Sequence, residues 1–213
     1  MPFESWLYLC LICLLGASSP GPSLLVIIKH SVADGRRAGI RASVGHGIGV
    51  FIYALASASG LSFILDTNPF LFSIIQILGA LFLIWIGFST VMASLKAKRE
   101  SILQKESDAQ QKAILISNHF RDGFIIAIFN PKILVFFSSL FSQFLKSGQG
   151  FDIHFYMACL AGAIDLVVYL VIVAIITINY FRQLYESYTK FILICFGGLL
   201  IILGFSIIVV HYT

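Results

Sequence analysis

The chain has 213 residues, of which 59% are apolar and 11% are charged, and its mean hydropathy is +0.96. Soluble domains carry about 25% charged residues, so this composition excludes one and indicates an integral membrane protein. The formal net charge of +4 at neutral pH does not by itself indicate a nucleic-acid partner.

Six apolar stretches divide the sequence into predicted transmembrane helices. Each reaches the roughly 20 residues that cross about 30 Å of hydrocarbon. The first stretch follows only an acidic Glu4 and lacks the basic region of a cleaved signal peptide, so it is predicted to be a span. The predicted fold is an all-α membrane protein whose six transmembrane helices lie in the lipid bilayer at residues 6–28, 39–65, 70–95, 123–145, 153–178 and 191–210.

The basic residues predict the orientation of these spans. Cytoplasmic connections carry an excess of Lys and Arg. Only Lys146 lies in or beside an even-numbered connection, so both termini are predicted to face outward. Because this distribution accounts for most of the positive charge, no nucleic-acid partner is expected. The residues in or beside the first, third and fifth connections are Lys29, Arg36, Arg37, Arg41, Lys96, Lys98, Arg99, Lys105, Lys112, Arg121, Arg182 and Lys190.

An internal repeat relates the two halves of the chain. Residues 79–89 align without gaps with residues 196–206, and both segments end in Gly-Phe-Ser. Residues 20–25 align in the same way with residues 130–135. Other aligned positions are Gly45 with Ala161, Gly49 with Asp165 and Tyr53 with Tyr169. Because each copy has three spans, the second copy enters the membrane from the opposite side, which predicts two inverted-topology repeats.

This repeat also gives the predicted domain organisation. Residues 1–95 form the first three-helix repeat and residues 120–213 form the second. Residues 96–119 are polar and of mixed charge, which is typical of a solvated cytoplasmic linker.

Two proline breaks interrupt the first and fourth spans. One is Ser19-Pro20-Gly21-Pro22 and the other is Asn130-Pro131-Lys132. Proline removes a backbone donor and clashes with the preceding turn, so each break needs partners from protein or from a water-filled cavity. Broken helices at equivalent positions of a repeat indicate the substrate site of a transporter. A kink that only shapes helix packing remains the alternative.

The first break has the features of an anion site. Pro22 suits the first position of a new helix, which would leave the N–H groups of Ser23, Leu24 and Leu25 free to bind a carboxylate. The hydroxyl groups of Ser18, Ser19 and Ser23 add polar contacts.

Lys132 and Asp165 are the ionisable groups predicted deepest within the spans. Such groups are costly in hydrocarbon and are functional candidates by default. They are predicted at similar depths on successive spans, so a structural ion pair between two helices is the alternative to a direct role in transport.

Other polar or small residues within the spans are weaker candidates for lining a cavity. His46 either takes part in a proton relay or forms a hydrogen bond at a helix interface, and the hydrogen bond is the simpler interpretation. The four cysteines all lie within predicted spans, and the Cys10-x-x-Cys13 pair is interpreted as buried and apolar; no metal site, cofactor or catalytic motif is predicted. The cavity-lining candidates are Gly45, His46, Gly49, Tyr53, Gln76 and Tyr169.

Over essentially its whole length, the chain resembles the LysE/RhtB family of amino-acid exporters. The resemblance is carried by Pro20-Gly21-Pro22, residues 35–39 with Gly45 and Gly49, Gly60-Leu61, Asn130-Pro131-Lys132, Phe136-Phe137, Gln143-Phe144 and Asp165. It implies export of amino acids or their small derivatives across the bacterial inner membrane, driven by protons, with no enzymatic activity. Ser23 departs from the family, in which Asn or Asp often follows the second proline, so substrate choice stays open.

The resemblance and the residues together predict a mechanism. The substrate carboxylate meets Lys132 and the N-terminus at residues 23–25, while its ammonium group meets Asp165 or carbonyls near Ser18 and Ser19. Asp165 is predicted to carry the coupled proton. A divalent-cation exporter and a non-transporting accessory membrane protein are the alternatives, and the glycine-rich faces are compatible with a homo-oligomer.

Overall fold

The computed structural model describes residues 1–19, 21–96, 118–176 and 179–212. Pro20 and most of the predicted linker at 96–119 lie outside the described residues. The described chain is helical and contains no strand. Its helices are α1 Phe3–Ser18, α2 Pro22–Ala33, α3 Arg36–Thr67, α4 Pro69–Lys96, α5 His119–Phe129, α6 Pro131–Phe141, α7 Phe151–Ile176 and α8 Asn179–Tyr212.

Three of the described helices are long and apolar enough to cross a membrane, namely α3, α4 and α7. Two bent pairs, α1 with α2 and α5 with α6, meet the same criterion when each pair counts as one span. The last predicted span, at residues 191–210, falls on α8, and Leu193–Val209 is an apolar segment of that helix. The chain is thus a multi-pass helical membrane protein with three to five candidate spans among its described residues. Six spans are not confirmed.

Both predicted helix breaks are present. The axes of α1 and α2 differ by 57°, and those of α5 and α6 differ by 56°. Gly21 and Asn130 have extended backbone conformations, which is the geometry that a following proline favours. Pro22 and Pro131 then occupy the first turn of α2 and α6. Pro22 therefore corresponds to Pro131, and the predicted alignment of residues 20–25 with 130–135 is wrong by one position.

Glycines allow helices to approach closely on both sides of the structure. A side chain at Gly45 would overlap the carbonyl oxygen of Phe120, and one at Gly123 would overlap that of Ala42, so α3 lies directly against α5. Small residues permit such close approach within a membrane.

The same kind of contact joins α4 to α8. A Cβ added at Gly87 would lie 2.5 Å from the carbonyl oxygen of Gly197, and one added at Gly204 would lie 2.6 Å from that of Ala80. Large apolar side chains such as Trp85 and Ile202 are exposed on the outer faces of these helices, where lipid would cover them.

Candidate functional site

Side-chain hydrogen bonds join the two helix breaks. The Nδ2 group of Asn130 donates to the Oγ atom of Ser23 at 2.8 Å, and both residues are buried. The Nζ group of Lys132 donates to the Oγ atom of Ser19, also at 2.8 Å. Each break thus supplies polar partners to the other, as broken helices in hydrocarbon require.

The N-termini of α2 and α6 differ in how they are capped. The Oδ1 atom of Asn130 accepts the N–H of Lys132 at 2.9 Å, so the cap of α6 is internal. No side chain among the described residues caps α2, whose N-cap residue is Gly21. An uncapped N-terminus carries partial positive charge, so α2 is the better of the two for binding an anion.

One detail of the predicted anion site is corrected. The N–H group of Leu25 donates to the carbonyl oxygen of Gly21 at 3.0 Å as part of the helix, so it is not free. Ser23 and Leu24 occupy the first turn of α2. A Cβ added at Gly21 would lie 3.4 Å from Nζ of Lys132, so the ammonium group approaches this helix end and adds to its positive potential.

A buried carboxylate and a buried imidazole form the second part of the site. Nδ1 of His46 lies 2.7 Å from Oδ2 of Asp165, and the side chains are 1% and 10% exposed. The ring of Tyr169 lies against that of His46 with centroids 4.8 Å apart. Nδ1 is the donor of this bond when Asp165 is ionised, because an ionised carboxylate only accepts. Nε2 of His46 is buried and has no hydrogen-bond partner among the described residues.

A small cavity separates these two parts. Its walls include Ser19, Ser23 and Lys132 from the breaks. The His46–Asp165 pair lies on the wall as well. The space open to the centres of water molecules is about 50 Å³. A single water needs about 10–15 Å³ on this measure, so the cavity has room for a few waters only.

A larger cavity of about 260 Å³ meets the first cavity at Ser19, Gly21 and Lys132. Its far wall belongs to the last turns of α4, from Ser89 to Ser94. Small-molecule sites begin at roughly 300 Å³, so this cavity approaches that size whereas the smaller one does not. Lys132 is thus reached from both cavities.

Two of the predicted cavity-lining residues pack against a helix instead. Gly45 contacts the backbone of α5, and a Cβ added at Gly49 would lie 2.6 Å from Cβ of Ala127. Neither glycine belongs to the walls of the two cavities. Their small size serves the close approach of α3 to α5.

Several other candidates also lie outside the cavity walls. Tyr53 is half-buried and packs on the apolar core. Gln76 donates from Nε2 to the carbonyl oxygen of Ser142 at 2.8 Å, which fastens α4 to the end of α6. The Ser18 hydroxyl donates to the carbonyl oxygen of Leu14 at 2.7 Å, and Pro131 is exposed. Of the predicted prolines, Pro22 lines the larger cavity.

Aromatic residues that the sequence did not single out as cavity-lining complete the smaller cavity. Phe136, Phe137 and Phe196 give it an apolar wall, and Nζ of Lys132 lies 4.8 Å from the ring centroid of Phe196. Phe136 follows Lys132 by four residues on α6, so helical periodicity predicts that the two side chains lie on the same face of the helix. The pairing of Phe196 with Lys132 depends on tertiary packing and had no local signal.

Broken helices around a cavity whose wall carries a carboxylate, an imidazole and an ammonium group define a helical membrane protein of the transporter class. Comparison with known families agrees: residues 14–210 match the LysE type translocator family, and the chain belongs to that family. This is a family of transporters and not of enzymes.

The chain matches its curated relatives over part of their length. The chain is 31% identical to the leucine efflux proteins of Salmonella choleraesuis and Salmonella typhimurium over 126 residues, which cover 59% of this chain and 56% of each relative. It is 30% identical to an uncharacterized membrane protein of Pseudomonas aeruginosa over 132 residues, covering 62% of this chain and 60% of the relative. The matches therefore span somewhat more than half of these relatives. No solved structure matches the chain.

Proposed function

We propose that this chain is a secondary transporter that exports amino acids, or small derivatives of them, from the cytoplasm in exchange for protons. The observation that carries the proposal is the cavity at the joined helix breaks. A cationic group, Lys132, and a buried acidic group, Asp165, both lie in its wall. A zwitterionic amino acid offers the complementary pair of charges.

The carboxylate of the substrate binds between Nζ of Lys132 and the N-terminus of α2 in this proposal. That helix end has no side-chain cap among the described residues, and the ammonium group lies beside Gly21. The ammonium group of the substrate binds at Asp165. Membrane transporters use the N-termini of half-helices in this way for anionic groups of their substrates.

The apolar wall favours an uncharged, apolar substrate side chain. Phe136, Phe137 and Phe196 offer no hydrogen-bonding group to a polar one. Relatives that are named leucine efflux proteins support this choice. The smaller cavity must widen to admit any amino acid, and the larger cavity beside Lys132 is the proposed route of entry.

Asp165 and His46 carry the coupled proton. The structure pairs them at 2.7 Å, so protonation of Asp165 removes the negative charge that strengthens that bond and the counter-ion of the substrate at once. Lys132, Tyr169 and Cys13 are other titratable groups in the wall of the same cavity. Release of substrate then accompanies uptake of a proton from outside, as alternating access requires.

The contact between α4 and α8 supports an inverted repeat. In the aligned segments 79–89 and 196–206, Ala80 corresponds to Gly197 and Gly87 to Gly204. The pairs in contact are Gly87 with Gly197 and Gly204 with Ala80, and exchanging the two halves converts one contact into the other. This is the behaviour of a pseudo-two-fold axis. We therefore retain six spans in two three-helix repeats, at 1–95 and 120–213, as part of the proposal.

The orientation follows from the charges. With the basic connections in the cytoplasm, both termini face outward and the protein lies in the bacterial inner membrane. The larger cavity lies near the Lys96 end of α4, so it opens on the cytoplasmic side in this orientation. A homo-oligomer is compatible with this arrangement.

The test is efflux of labelled amino acids from preloaded cells that express the chain. Selective efflux that a protonophore abolishes and that the Asp165→Asn variant lacks is the expected result. The Asp152→Asn variant is the matched control, since Asp152 is an exposed residue of the same helix. Efflux of a divalent cation with no amino-acid efflux would favour the cation-exporter alternative, and no efflux above an empty-vector control would favour an accessory role.

A further inference from the structure

Four titratable side chains meet where the end of α2 lies beside the start of α5. His30 is in the last turn of α2, and Asp34 is the residue at its C-terminal cap. His119 begins α5, and Asp122 lies in its first turn. The spacing of four residues within the first pair and of three within the second places each pair on one face of its helix.

Three of these side chains converge on one point. Nδ1 of His30 and Nδ1 of His119 are 3.0 Å apart, and each lies 3.8 Å from Oδ2 of Asp34. The centre of a triangle with these sides is about 2.1 Å from each corner, which is the Zn–N and Zn–O bond length in proteins. The three atoms thus already surround a position of the right radius for a metal ion.

Asp122, the fourth residue, lies close to the imidazole ring of His30. Nε2 of His30 lies 3.3 Å from Oδ2 of Asp122, and both atoms are buried without a hydrogen-bond partner among the described residues. A histidine that binds a metal through Nδ1 must carry its proton on Nε2, and metal-binding histidines usually donate that N–H to a carboxylate. The position of Asp122, 3.3 Å from Nε2, therefore suits the tautomer that a ligated His30 requires, a tautomer that the contact of its Nδ1 with Nδ1 of His119 also allows.

We propose that His30, His119 and Asp34 bind a divalent transition-metal ion of the zinc type, and that Asp122 orients His30. Two imidazoles with one carboxylate suit Zn²⁺, whereas Mg²⁺ and Ca²⁺ prefer sites built from oxygen alone. Asp34 is half-exposed, so water reaches the fourth coordination position. A bound ion would tie the half-helix after the first break to the half-helix before the second.

The proposed site is separate from the transport site. None of its four residues belongs to the walls of the two cavities at the breaks. The inference therefore does not rest on the proposed function, and metal binding is measurable without transport.

The test is Zn²⁺ binding to the full chain, purified in detergent without a polyhistidine tag and stripped of metal with a chelator. Competition with a chromophoric chelator gives the affinity and the stoichiometry, and Co²⁺ in place of Zn²⁺ gives an absorption spectrum that reports coordination geometry. We expect one ion per chain. The His119→Ala variant should lose more than 100-fold in affinity, and the Asp122→Asn variant should lose about 10- to 100-fold, as for other residues that support a metal ligand.

His154→Ala is the control, because His154 is a buried histidine of α7 that lies outside this cluster. Its affinity for Zn²⁺ should equal that of the unaltered chain. A monodisperse gel-filtration profile shows that each variant is folded. The proposal is overturned if the unaltered chain binds no stoichiometric Zn²⁺, if His119→Ala binds it equally well, or if Mg²⁺ displaces Zn²⁺ at similar concentration.

Discussion

Asn130 donates a hydrogen bond of 2.8 Å to the hydroxyl of Ser23, a residue 107 positions earlier in the chain. The same side chain caps α6 through its Oδ1 atom, so one residue organises both breaks. Because one side chain caps α6 and also bonds to Ser23, the two breaks form a single structural unit, and a substitution at Asn130 should affect both.

Asn130→Ala should destabilise the protein more than the loss of a helix cap alone. Removal of a cap costs about 0.5–2 kcal/mol, and leaving the buried Ser23 hydroxyl unpaired adds roughly 1–3 kcal/mol. Asn118→Ala is the matched control, because Asn118 caps α5 through the N–H of Arg121 but is exposed and spans no break. Thermal unfolding in detergent measures both. Equal losses would show that the bond between the breaks contributes nothing.

Lys132→Met should raise the KM for amino-acid efflux by at least tenfold. The ammonium group stands beside the N-terminus of α2, where the substrate carboxylate is proposed to bind. An amine that lacks the carboxylate should be transported equally by the variant and the unaltered chain, if both move it at all. Lys146→Met, at an exposed loop position, is the control. An unchanged KM for the amino acid would place the carboxylate elsewhere.

The His46–Asp165 pair should be strongly coupled in stability. His46→Leu leaves the buried Asp165 side chain without its hydrogen-bond partner, which costs about 1–3 kcal/mol and more for a charged group. The double variant His46→Leu with Asp165→Leu should recover much of that loss, because both polar groups are then absent. Unfolding free energies of the two single variants and the double variant complete the cycle. Additive losses would mean that the two residues do not interact.

Two glycines of α3 should respond to alanine with opposite signs. At Gly45 the added methyl group overlaps the backbone of α5, so Gly45→Ala should cost about 1–3 kcal/mol of unfolding free energy. At Gly60 nothing lies within 4 Å of the added atom. Gly60→Ala should therefore stabilise α3 by about 0.5–1 kcal/mol through helix propensity alone. Melting temperatures in detergent check both, and a loss at Gly60 as large as that at Gly45 would contradict the close helix contact.

Local chemistry made the helical class and the breaks predictable from sequence. Apolar runs of span length favour helices in a membrane. A proline within such a run breaks the helix next to it in sequence, because it lacks a backbone N–H group, and α2 and α6 therefore begin at Pro22 and Pro131. The predicted alignment of residues 20–25 with 130–135 was off by one position. Apolar segments can be aligned in several registers, whereas the helix starts at Pro22 and Pro131 fix one.

The partners of the polar residues were not predictable in the same way. Depth along a helix placed Lys132 and Asp165 near each other, yet the structure pairs Asp165 with His46 and Lys132 with Ser19. Which face a residue presents depends on the rotation of each helix, and that rotation is set by contacts such as Gly45 against Phe120. A single sequence carries no signal for such long-range contacts.

The bond between Ser23 and Asn130 also bears on how the protein is made. Ribosomes add about 5–20 residues per second, so Ser23 is synthesised roughly 5–20 s before Asn130. During that interval the first break lacks its partner and depends on water, on lipid headgroups or on the insertion machinery to solvate it. The amino-terminal half is therefore the vulnerable species in biogenesis, and its lifetime before the second half arrives sets its exposure to membrane proteases.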